Sequence, residues 1–175
     1  MVDDQATAYA EALFAVTRVE GNHDRVEDEL FRLARALEGS DELQVALADE
    51  QTPVARRQQI VEDLLGSAAD STTVGIVSLL VGTGRSKDIP QIVDAFVERA
   101  ARQSGRRVAT VRSAVELTPD QQQRLAAALH QSTGHEVTIK VIVDPSVLGG
   151  IVTEIGDTVI DGSVRRRLHQ LREAF

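Results

Sequence analysis

The sequence contains no cysteine and no tryptophan, and aromatic residues make up only 3% of its 175 positions. Without cysteine the chain can form no disulfide and offers no thiolate to a metal, which fits a reducing compartment. No stretch approaches the ~20 apolar residues that cross a bilayer as a helix, and the most apolar one, residues 74–81, is far shorter. Asp3 and Asp4 make the N-terminus acidic, unlike a signal or transit peptide. We therefore expect a folded protein with no transmembrane segment.

The net charge of −8 is unevenly distributed along the chain. Residues 1–105 carry 19 acidic and 10 basic side chains, a net charge of −9, whereas residues 106–175 carry 8 and 9, a net charge of +1. An acidic chain with few rings is a poor nucleic-acid binder, because phosphate contacts need positive charge and base stacking needs aromatic side chains. The hydrophobic period also changes near the polar segment 102–107. The two changes together predict two domains, residues 1–105 and residues 106–175.

The first domain shows six segments with apolar residues at helical spacing, joined by short turns, which predicts an antiparallel six-helix bundle. We expect Thr52 to cap the fourth helix, with Pro53 in its first turn, and Ser71 or Thr72 to cap the fifth. The inner face of the fourth helix is predicted to be Ile60, Val61, Leu64 and Leu65. The fifth helix is apolar nearly all round, which indicates either a central core helix or a surface covered by a partner.

The second domain is predicted to be a small α/β unit. Residues 108–116 and 136–143 alternate as strands, and Thr118-Pro119-Asp120-Gln121 starts the helix between them, so we expect a parallel strand pair. The first strand is predicted to carry Ala109, Val111, Ser113 and Val115 on one side, and the helix is predicted to face inward with Leu125, Ala128 and Leu129. Gly149-Gly150 indicates a bulge or a close backbone approach, before two short strands around Gly156-Asp157. Ser163 is then placed to cap a basic terminal helix.

The sequence contains only weak candidates for metal-binding, phosphate-binding and catalytic sites. The histidines share no metal-ligand spacing and are interpreted as solvated: His23, His130, His135 and His169. Gly82-Thr83-Gly84 lacks the lysine and the preceding strand of a phosphate-binding loop and is interpreted as a helix end. Asp144, Glu154, Asp157 and Asp161 could form a carboxylate cluster that binds magnesium or acts in acid–base catalysis. Aspartate also favours turns, however, because its side chain forms local hydrogen bonds there. We expect no catalytic residue, metal or cofactor, with a small α/β enzyme using these carboxylates as the alternative.

The C-terminal third carries an ordered string of motifs. Leu148-Gly149-Gly150-Ile151 is followed by Ile155-Gly156-Asp157-Thr158-Val159-Ile160-Asp161-Gly162-Ser163 and by a basic helix that ends the chain. Weaker matches lie in the first domain, at Tyr9-Ala10 with Ala12-Leu13-Phe14, at Pro53 and at Gly84-Arg85. This arrangement resembles the delta subunit of bacterial F-type ATP synthases, called the oligomycin sensitivity-conferring protein in mitochondria.

The resemblance implies a non-catalytic stator subunit in the peripheral stalk, linking the catalytic head to the membrane-anchored stalk during proton-driven ATP synthesis. It also implies a peripheral membrane protein at the cytoplasmic face of the inner or plasma membrane. The N-terminal helix of an alpha subunit would enter a groove between the first and fifth helices, contacting Tyr9, Leu13, Val16, Val77, Leu80 and Val81. The b subunits would bind the second domain at Leu148, Gly149, Gly150, Ile151, Val164, Arg165, Arg166, Arg167 and Leu168. A generic helical adaptor of another pathway is the other alternative.

Overall fold

The computed structural model describes residues 4–66 and 68–163. The chain divides into two compact units, residues 1–100 and residues 101–175. Among the described residues it is rich in helix, with a small four-stranded mixed sheet in the second unit. None of the described helices combines the length and the apolar character needed to cross a membrane.

Helices fill the described part of the first unit, and they lie where the hydrophobic spacing predicts them. They are α1 (Asp4–Glu20), α2 (His23–Glu38), α3 (Asp41–Ala48), α4 (Val54–Leu65), α5 (Ser71–Gly82) and α6 (Ile89–Gln103), with a short 3-10 turn at Ser86–Asp88. Their arrangement as a single antiparallel bundle stays a prediction.

The core of the first unit is built mainly from the apolar stripes of α2 and α6. The stripe predicted for α2 is confirmed, because all five of its members are buried: Val26, Leu30, Leu33, Ala34 and Leu37. On α6 the buried positions include Ile89, Ile92, Val93, Phe96 and Val97. Each of the larger side chains contributes about 1.5–3 kcal/mol on burial, so these two stripes are a principal source of the unit's stability.

Two predicted helix caps are wrong. Thr52 does not cap α4, because its hydroxyl donates to the Asp49 carboxylate at 2.7 Å and Pro53 takes the capping position without a side-chain bond. Neither Ser71 nor Thr72 caps α5, since Asp70 does so by accepting a hydrogen bond from the Thr72 amide at 2.9 Å. At α5 the Asp70 carboxylate replaces the predicted hydroxyl as the capping acceptor, whereas at α4 Asp49 engages the Thr52 hydroxyl and the helix start has no side-chain cap.

The predicted inner face of α4 is only partly right. Val61 is 1% exposed, but Leu64 is 50% exposed, and Ile60 and Leu65 are half-buried. Arg57 is buried instead, and its guanidinium donates to the carbonyl oxygens of Leu47 and Thr52. The helix therefore turns a hydrogen-bonded arginine toward the core, which an apolar pattern does not reveal.

The second unit contains a four-stranded sheet in the order β2-β1-β3-β4. Its strands are β1 (Arg107–Ser113), β2 (Val137–Val143), β3 (Ile151–Ile155) and β4 (Thr158–Asp161). The predicted parallel pairing of β1 with β2 is confirmed, and so is the β3–β4 hairpin. β3 also pairs antiparallel with β1, which makes the sheet mixed.

The helix between β1 and β2 is α7 (Pro119–Thr133), and it begins with the predicted capping box of Thr118 and Gln121. Leu129 packs with Ala109 and Ile155 in the core of this unit, and Leu125 packs against them. One predicted inward position is wrong, because Ala128 is exposed. Val115, predicted on the same side of the strand as Ala109 and Val111, is 67% exposed, whereas those two are buried. β1 ends at Ser113, three residues before the predicted end of the strand at residue 116, so Val115 lies outside the strand.

Candidate functional site

Helix α1 has apolar residues on two sides. One side faces the core and is buried: Ala6, Ala10, Leu13 and Phe14, with Thr17 at the end. The other side is open and carries Ala8, Ala12, Ala15, Val16 and Val19. Val16 is 46% and Val19 is 86% exposed. A surface helix of a self-contained unit needs only one apolar stripe, so the second one marks α1 as a candidate docking surface.

Contacts connect helices α1 and α5 near both of their ends. Just after α1 ends, the Asn22 amide donates to the Asp70 carboxylate at 2.8 Å and to the Thr72 hydroxyl at 2.7 Å, at the start of α5. Just after α5 ends, Arg85 interacts with Tyr9 in the first half of α1. Hydrogen bonds to Asp88 and Tyr9 raise the pKa of Arg85. Contacts at both ends thus hold the two helices together.

Helix α5 also leaves one side open. Leu79 is 54% exposed, and Gly75, one turn earlier, is exposed with nothing within 4 Å of where a Cβ would be. A partner's backbone could approach closely at such a glycine. Two neighbouring helices of the first unit therefore each present uncovered apolar surface.

The residues predicted to contact an alpha helix fall into two groups. Val16 is exposed and Tyr9 is half-buried. Leu13 is 4% exposed, and Val77, Leu80 and Val81 have no exposed surface. The structure therefore brings both helices together but uses these four side chains to anchor them to the unit's own core. Val19 and Leu79 were not predicted from the sequence. The signal that could have identified them is that each is an apolar residue outside the stripe that its helix buries.

The start of α5 is fixed by Glu29 in α2. Its carboxylate accepts hydrogen bonds from the Asp70 amide at 2.8 Å and from the Thr73 hydroxyl at 2.6 Å. Arg25 donates to its second oxygen at 2.8 Å. Burial acts to raise the pKa of Glu29, but the hydrogen bonds from Thr73, Arg25 and Asp70 outweigh burial and lower the pKa below its ordinary value.

His23 was also misjudged from the sequence. It opens α2 and packs edge-on between Phe14, 4.9 Å away, and Phe96, 5.3 Å away. Its Nδ1 atom lies 2.8 Å from the Thr17 hydroxyl, and its Nε2 atom lies 3.5 Å from the Glu27 carboxylate. The interpretation as a solvated histidine is wrong here, because this ring joins α1, α2 and α6. His130 and His135 are exposed as predicted, and His169 lies outside the described residues.

The predicted b-subunit contacts can be placed only in part. Leu148 is 67% exposed, Gly149 and Ile151 are half-buried, and Gly150 is exposed. A Cβ on Gly150 would lie 2.5 Å from the Gly162 carbonyl oxygen, so the predicted close backbone approach is confirmed. The remaining contacts lie outside the described residues: Val164, Arg165, Arg166, Arg167 and Leu168.

The C-terminal carboxylates are engaged in local structure. Asp144 accepts the Ser146 amide at 2.8 Å, and Asp161 accepts the Ser163 amide at 2.9 Å. The Ser146 hydrogen bonds lower the pKa of Asp144. Glu154 lies 4.0 Å from Arg112, and Asp157 is exposed in the hairpin turn. These contacts match the turn-forming interpretation, and the described residues contain no group of three His, Cys, Asp or Glu that could hold a metal.

The fold and the exposed surfaces define a class of protein in which a helical unit with uncovered apolar helix faces is joined to a small α/β unit. The sequence profile named "ATP synthase delta (OSCP) subunit" matches residues 6–175, which is nearly the whole chain. The chain belongs to that family.

Curated relatives support the same assignment. The chain is 40% identical to ATP synthase subunit delta of Nocardia farcinica over 172 residues, which cover 98% of this chain and 64% of the relative. It is also 40% identical to the subunit of the same name from Streptomyces lividans over 148 residues, covering 85% of this chain and 54% of the relative. The chain thus spans between about half and two thirds of the length of these relatives.

A solved structure shares the fold at greater distance. A chain in the mitochondrial ATP synthase hexamer of Toxoplasma gondii superposes with a TM-score of 0.62 at 22% identity. The match covers 98% of this chain and 97% of that one. The fold is therefore found in a chain of an assembled ATP synthase.

Proposed function

We propose that the chain is a non-catalytic stator subunit of an F-type ATP synthase. It would link the catalytic head to the membrane-anchored peripheral stalk and resist the torque of the rotor. The family assignment over residues 6–175 carries this proposal. The division into two compact units supports it, because one chain can then bind two partners at once. On this proposal the chain lies at the cytoplasmic face of the membrane that holds the enzyme.

The first unit, predicted as an antiparallel six-helix bundle, would bind the N-terminal helix of an alpha subunit along α1 and α5. Helix-in-groove recognition needs an apolar surface on the receiving side. The open side of α1 and the exposed Leu79 of α5 supply such a surface. Val16, Val19 and Leu79 would make contact, while Leu13, Val77, Leu80 and Val81 would hold the two helices in position from below.

The second unit would bind the b subunits of the stalk. Leu148 supports this proposal, because it is a large apolar side chain left 67% exposed beside the glycine pair. In β4, Val159 and Ile160 are 55% and 42% exposed, so the end of the sheet is apolar as well. The basic residues 165–167 would form an electrostatic rim, which is the part of the proposal drawn from the sequence.

Affinity for an alpha-subunit peptide tests the first contact. We expect the first ~20 residues of a cognate alpha subunit, long enough to form an amphipathic helix, to bind the full chain. The double variant Val16→Asp with Leu79→Asp should weaken binding at least about thirtyfold, because each carboxylate would be buried without a partner. Isothermal titration calorimetry measures the effect. Both positions are exposed, so the variant should fold.

Val45→Asp with Leu64→Asp is the matched control, since these residues are 67% and 50% exposed on α3 and α4. It should bind like the parent chain. An unchanged affinity of the α1–α5 variant, with its circular dichroism intact, would exclude this surface. Aspartate at Val77 or Leu80 would not be informative, because both side chains are fully buried and the variant would unfold.

A further inference from the structure

The sheet of the second unit has an open edge at β2. In the strand order β2-β1-β3-β4, β2 lies at one end, and the part of the chain that the structure describes places no strand beyond it. The strand β4, which is part of the surface proposed above for the b subunits, lies at the other end. The outer side of β2 therefore lies on the opposite edge of the sheet from β4.

Backbone hydrogen bonds show which groups of β2 point away from the sheet. The Arg107 amide donates to the Glu136 carbonyl oxygen at 2.9 Å. The Asp144 amide donates to the Ser113 carbonyl oxygen at 2.8 Å. Bonding residues alternate along a parallel pair, so the even-numbered residues of β2 bond to β1. The odd-numbered residues point their N–H and C=O groups outward, and these groups form no hydrogen bond within the described residues. We call the outward groups the β2 edge, and they belong to Val137, Ile139, Val141 and Val143.

The β2 edge lacks the features that usually keep a sheet edge from pairing. Proteins blunt such edges with proline, with bulges or with charged side chains that project into solvent. β2 contains no proline and pairs with β1 without a break over seven residues. Its one charged residue, Lys140, is only 7% exposed. The other residues of β2 are all valine, isoleucine or threonine, which favour extended pairing.

The β2 edge fits an extended backbone, because its donors and acceptors recur at every second residue. The side chains of the same residues lie on the side of the sheet that faces α7, where Val137 and Ile139 pack against the core. Both are only half-buried, and Val143 is 47% exposed. Residues directly opposite one another in paired strands point to the same side of the sheet. An added strand with apolar residues opposite the odd-numbered positions would therefore cover this surface.

A second copy of the chain fits this edge poorly. Two antiparallel β2 strands that overlap over their whole length would place Lys140 opposite Lys140 and Glu136 opposite Asp144. Like charges directly opposite each other destabilise a strand pair. A shift of the register by two residues avoids these oppositions but shortens the paired segment. The charges of β2 and of its flanks thus favour a different chain over a second copy.

We propose that the β2 edge binds an extended segment of another protein, which joins the sheet as an additional strand antiparallel to β2. The segment carries β-branched apolar residues opposite the odd-numbered residues of β2. It has no acidic residue at its ends, where it meets Glu136 and Asp144. Main-chain hydrogen bonds supply the affinity, and the alternating side chains supply the selectivity. This binding goes beyond the stator role proposed above and does not depend on the alpha-subunit or b-subunit contact.

Amide exchange on the full chain tests whether the edge is open. In the free chain, the amides of Ile139 and Val141 should exchange with solvent faster than those of Lys140 and Ile142, which bond to β1. The probe is a peptide in which four valines alternate with three threonines between two terminal lysines. At saturating peptide, exchange at Ile139 and Val141 should slow at least about fivefold, while exchange at Lys140 and Ile142 changes little. NMR of the ¹⁵N-labelled chain measures all four amides.

N-methylated peptides provide a matched control. The valines lie opposite the odd-numbered residues of β2, so their N–H groups point toward β2, while those of the threonines point away. Methylation of the two central valine nitrogens should weaken binding at least about tenfold, because two main-chain donors are lost. Methylation of two threonine nitrogens should leave the affinity within about threefold. Glutamate in place of the terminal lysines should weaken binding, because it places like charges opposite Glu136 and Asp144.

Val141→Pro makes the same test in the chain itself. Proline removes the outward N–H group of residue 141, which takes no part in the ladder with β1, so an edge strand tolerates it. The variant should bind the valine–threonine peptide at least about tenfold more weakly than Val141→Ala, which loses the side chain but keeps the N–H group. Circular dichroism checks that both variants fold.

Three results would overturn the proposal: no binding up to about 5 mM peptide, equal binding of the two methylated peptides, or slow exchange at Ile139 and Val141 in the free chain. The methylated peptides are decisive even where Val141→Pro does not fold, since they leave the chain unchanged. Sedimentation velocity adds a further arm. If the chain forms a dimer that the valine–threonine peptide dissociates, the β2 edge binds a second copy and the proposal of a different partner is wrong.

Discussion

Glu29 belongs to α2, yet it accepts hydrogen bonds from the first turn of α5, and its side chain is only 9% exposed. Because its pKa is lowered in the folded chain, the unfolded chain binds a proton at this position first as the pH falls. The stabilisation from ionised Glu29 is complete above its ordinary pKa of 4.5 and disappears as the pH falls through the lowered value. One carboxylate thus makes the placement of α5 sensitive to acid.

Glu29→Gln tests this linkage. The variant should lose about 1–3 kcal/mol of unfolding free energy at pH 7, because Asp70, Thr73 and Arg25 lose a charged acceptor. Its unfolding free energy should also change less steeply than that of the parent chain between about pH 5 and pH 3. Urea unfolding at several pH values measures both effects. Glu62→Gln, an exposed position on α4, is the control, and equal pH slopes for parent and Glu29→Gln would contradict the linkage.

At the scale of single elements, the loop before the β3–β4 hairpin lies close to the backbone that follows the hairpin. Gly150 has a φ of +77°, and a Cβ there would lie 2.5 Å from the Gly162 carbonyl oxygen and 3.0 Å from the Ser163 Cα atom. Backbone atoms cannot move aside as a flexible side chain can. Glycine is therefore needed at this position both for its conformation and for the space it leaves.

Gly150→Ala and Gly156→Ala separate these two requirements. Gly156, in the hairpin turn, has a φ of +55° but nothing within 4 Å of a Cβ, so alanine there should cost only about 1 kcal/mol of backbone strain. Alanine at Gly150 adds the collision with Gly162 and should cost at least about 1 kcal/mol more. Chemical denaturation gives both values. Equal costs for the two variants would show that the loop yields without strain.

Most of the helices and strands could be predicted from the sequence, because the hydrophobic spacing and the capping residues that define them lie within or next to each element. The capping box of Thr118 and Gln121, the parallel strand pair and the hairpin are all confirmed. The start of α5 could not be predicted, since it depends on Glu29 from a helix 41 residues earlier than Asp70. The inner face of α4 failed for a similar reason, as Arg57 is buried by bonds to carbonyl oxygens that no pattern shows.

The candidate site was predictable as a pair of helices but not as a set of contact atoms. Because α5 is apolar nearly all round, its sequence does not show which side faces the core, and Val77, Leu79 and Leu80 cannot be told apart by pattern. In the structure Val77 and Leu80 are fully buried and Leu79 is 54% exposed. The contact of Arg99 with the Phe14 ring could not be predicted for another reason, because Arg99 reaches Phe14 from a different helix.

At the scale of the whole molecule, the division into two compact units would allow a stator subunit to bind two partners through separate surfaces. A chain that joins two partners must hold both at once, and attaching the second partner then becomes an intramolecular event with a high effective concentration. Damage to one unit should therefore weaken one attachment and leave the other in place. A protein that binds a single partner through both units would instead respond alike to damage in either unit.

Reciprocal variants separate these two arrangements. In the full chain, Leu148→Asp should weaken binding to a soluble fragment of a b subunit about tenfold or more, because a carboxylate would enter an apolar contact, and should leave the alpha peptide unaffected. Val16→Asp with Leu79→Asp should do the reverse. Val115→Asp is the control in the second unit, since Val115 is as exposed as Leu148 at 67%. Calorimetry with each of the two partners measures the affinities of all three variants. Loss of both partners in either folded variant would mean that the units do not act as separate attachments, because a change confined to an exposed side chain of one unit would then have reached the surface of the other.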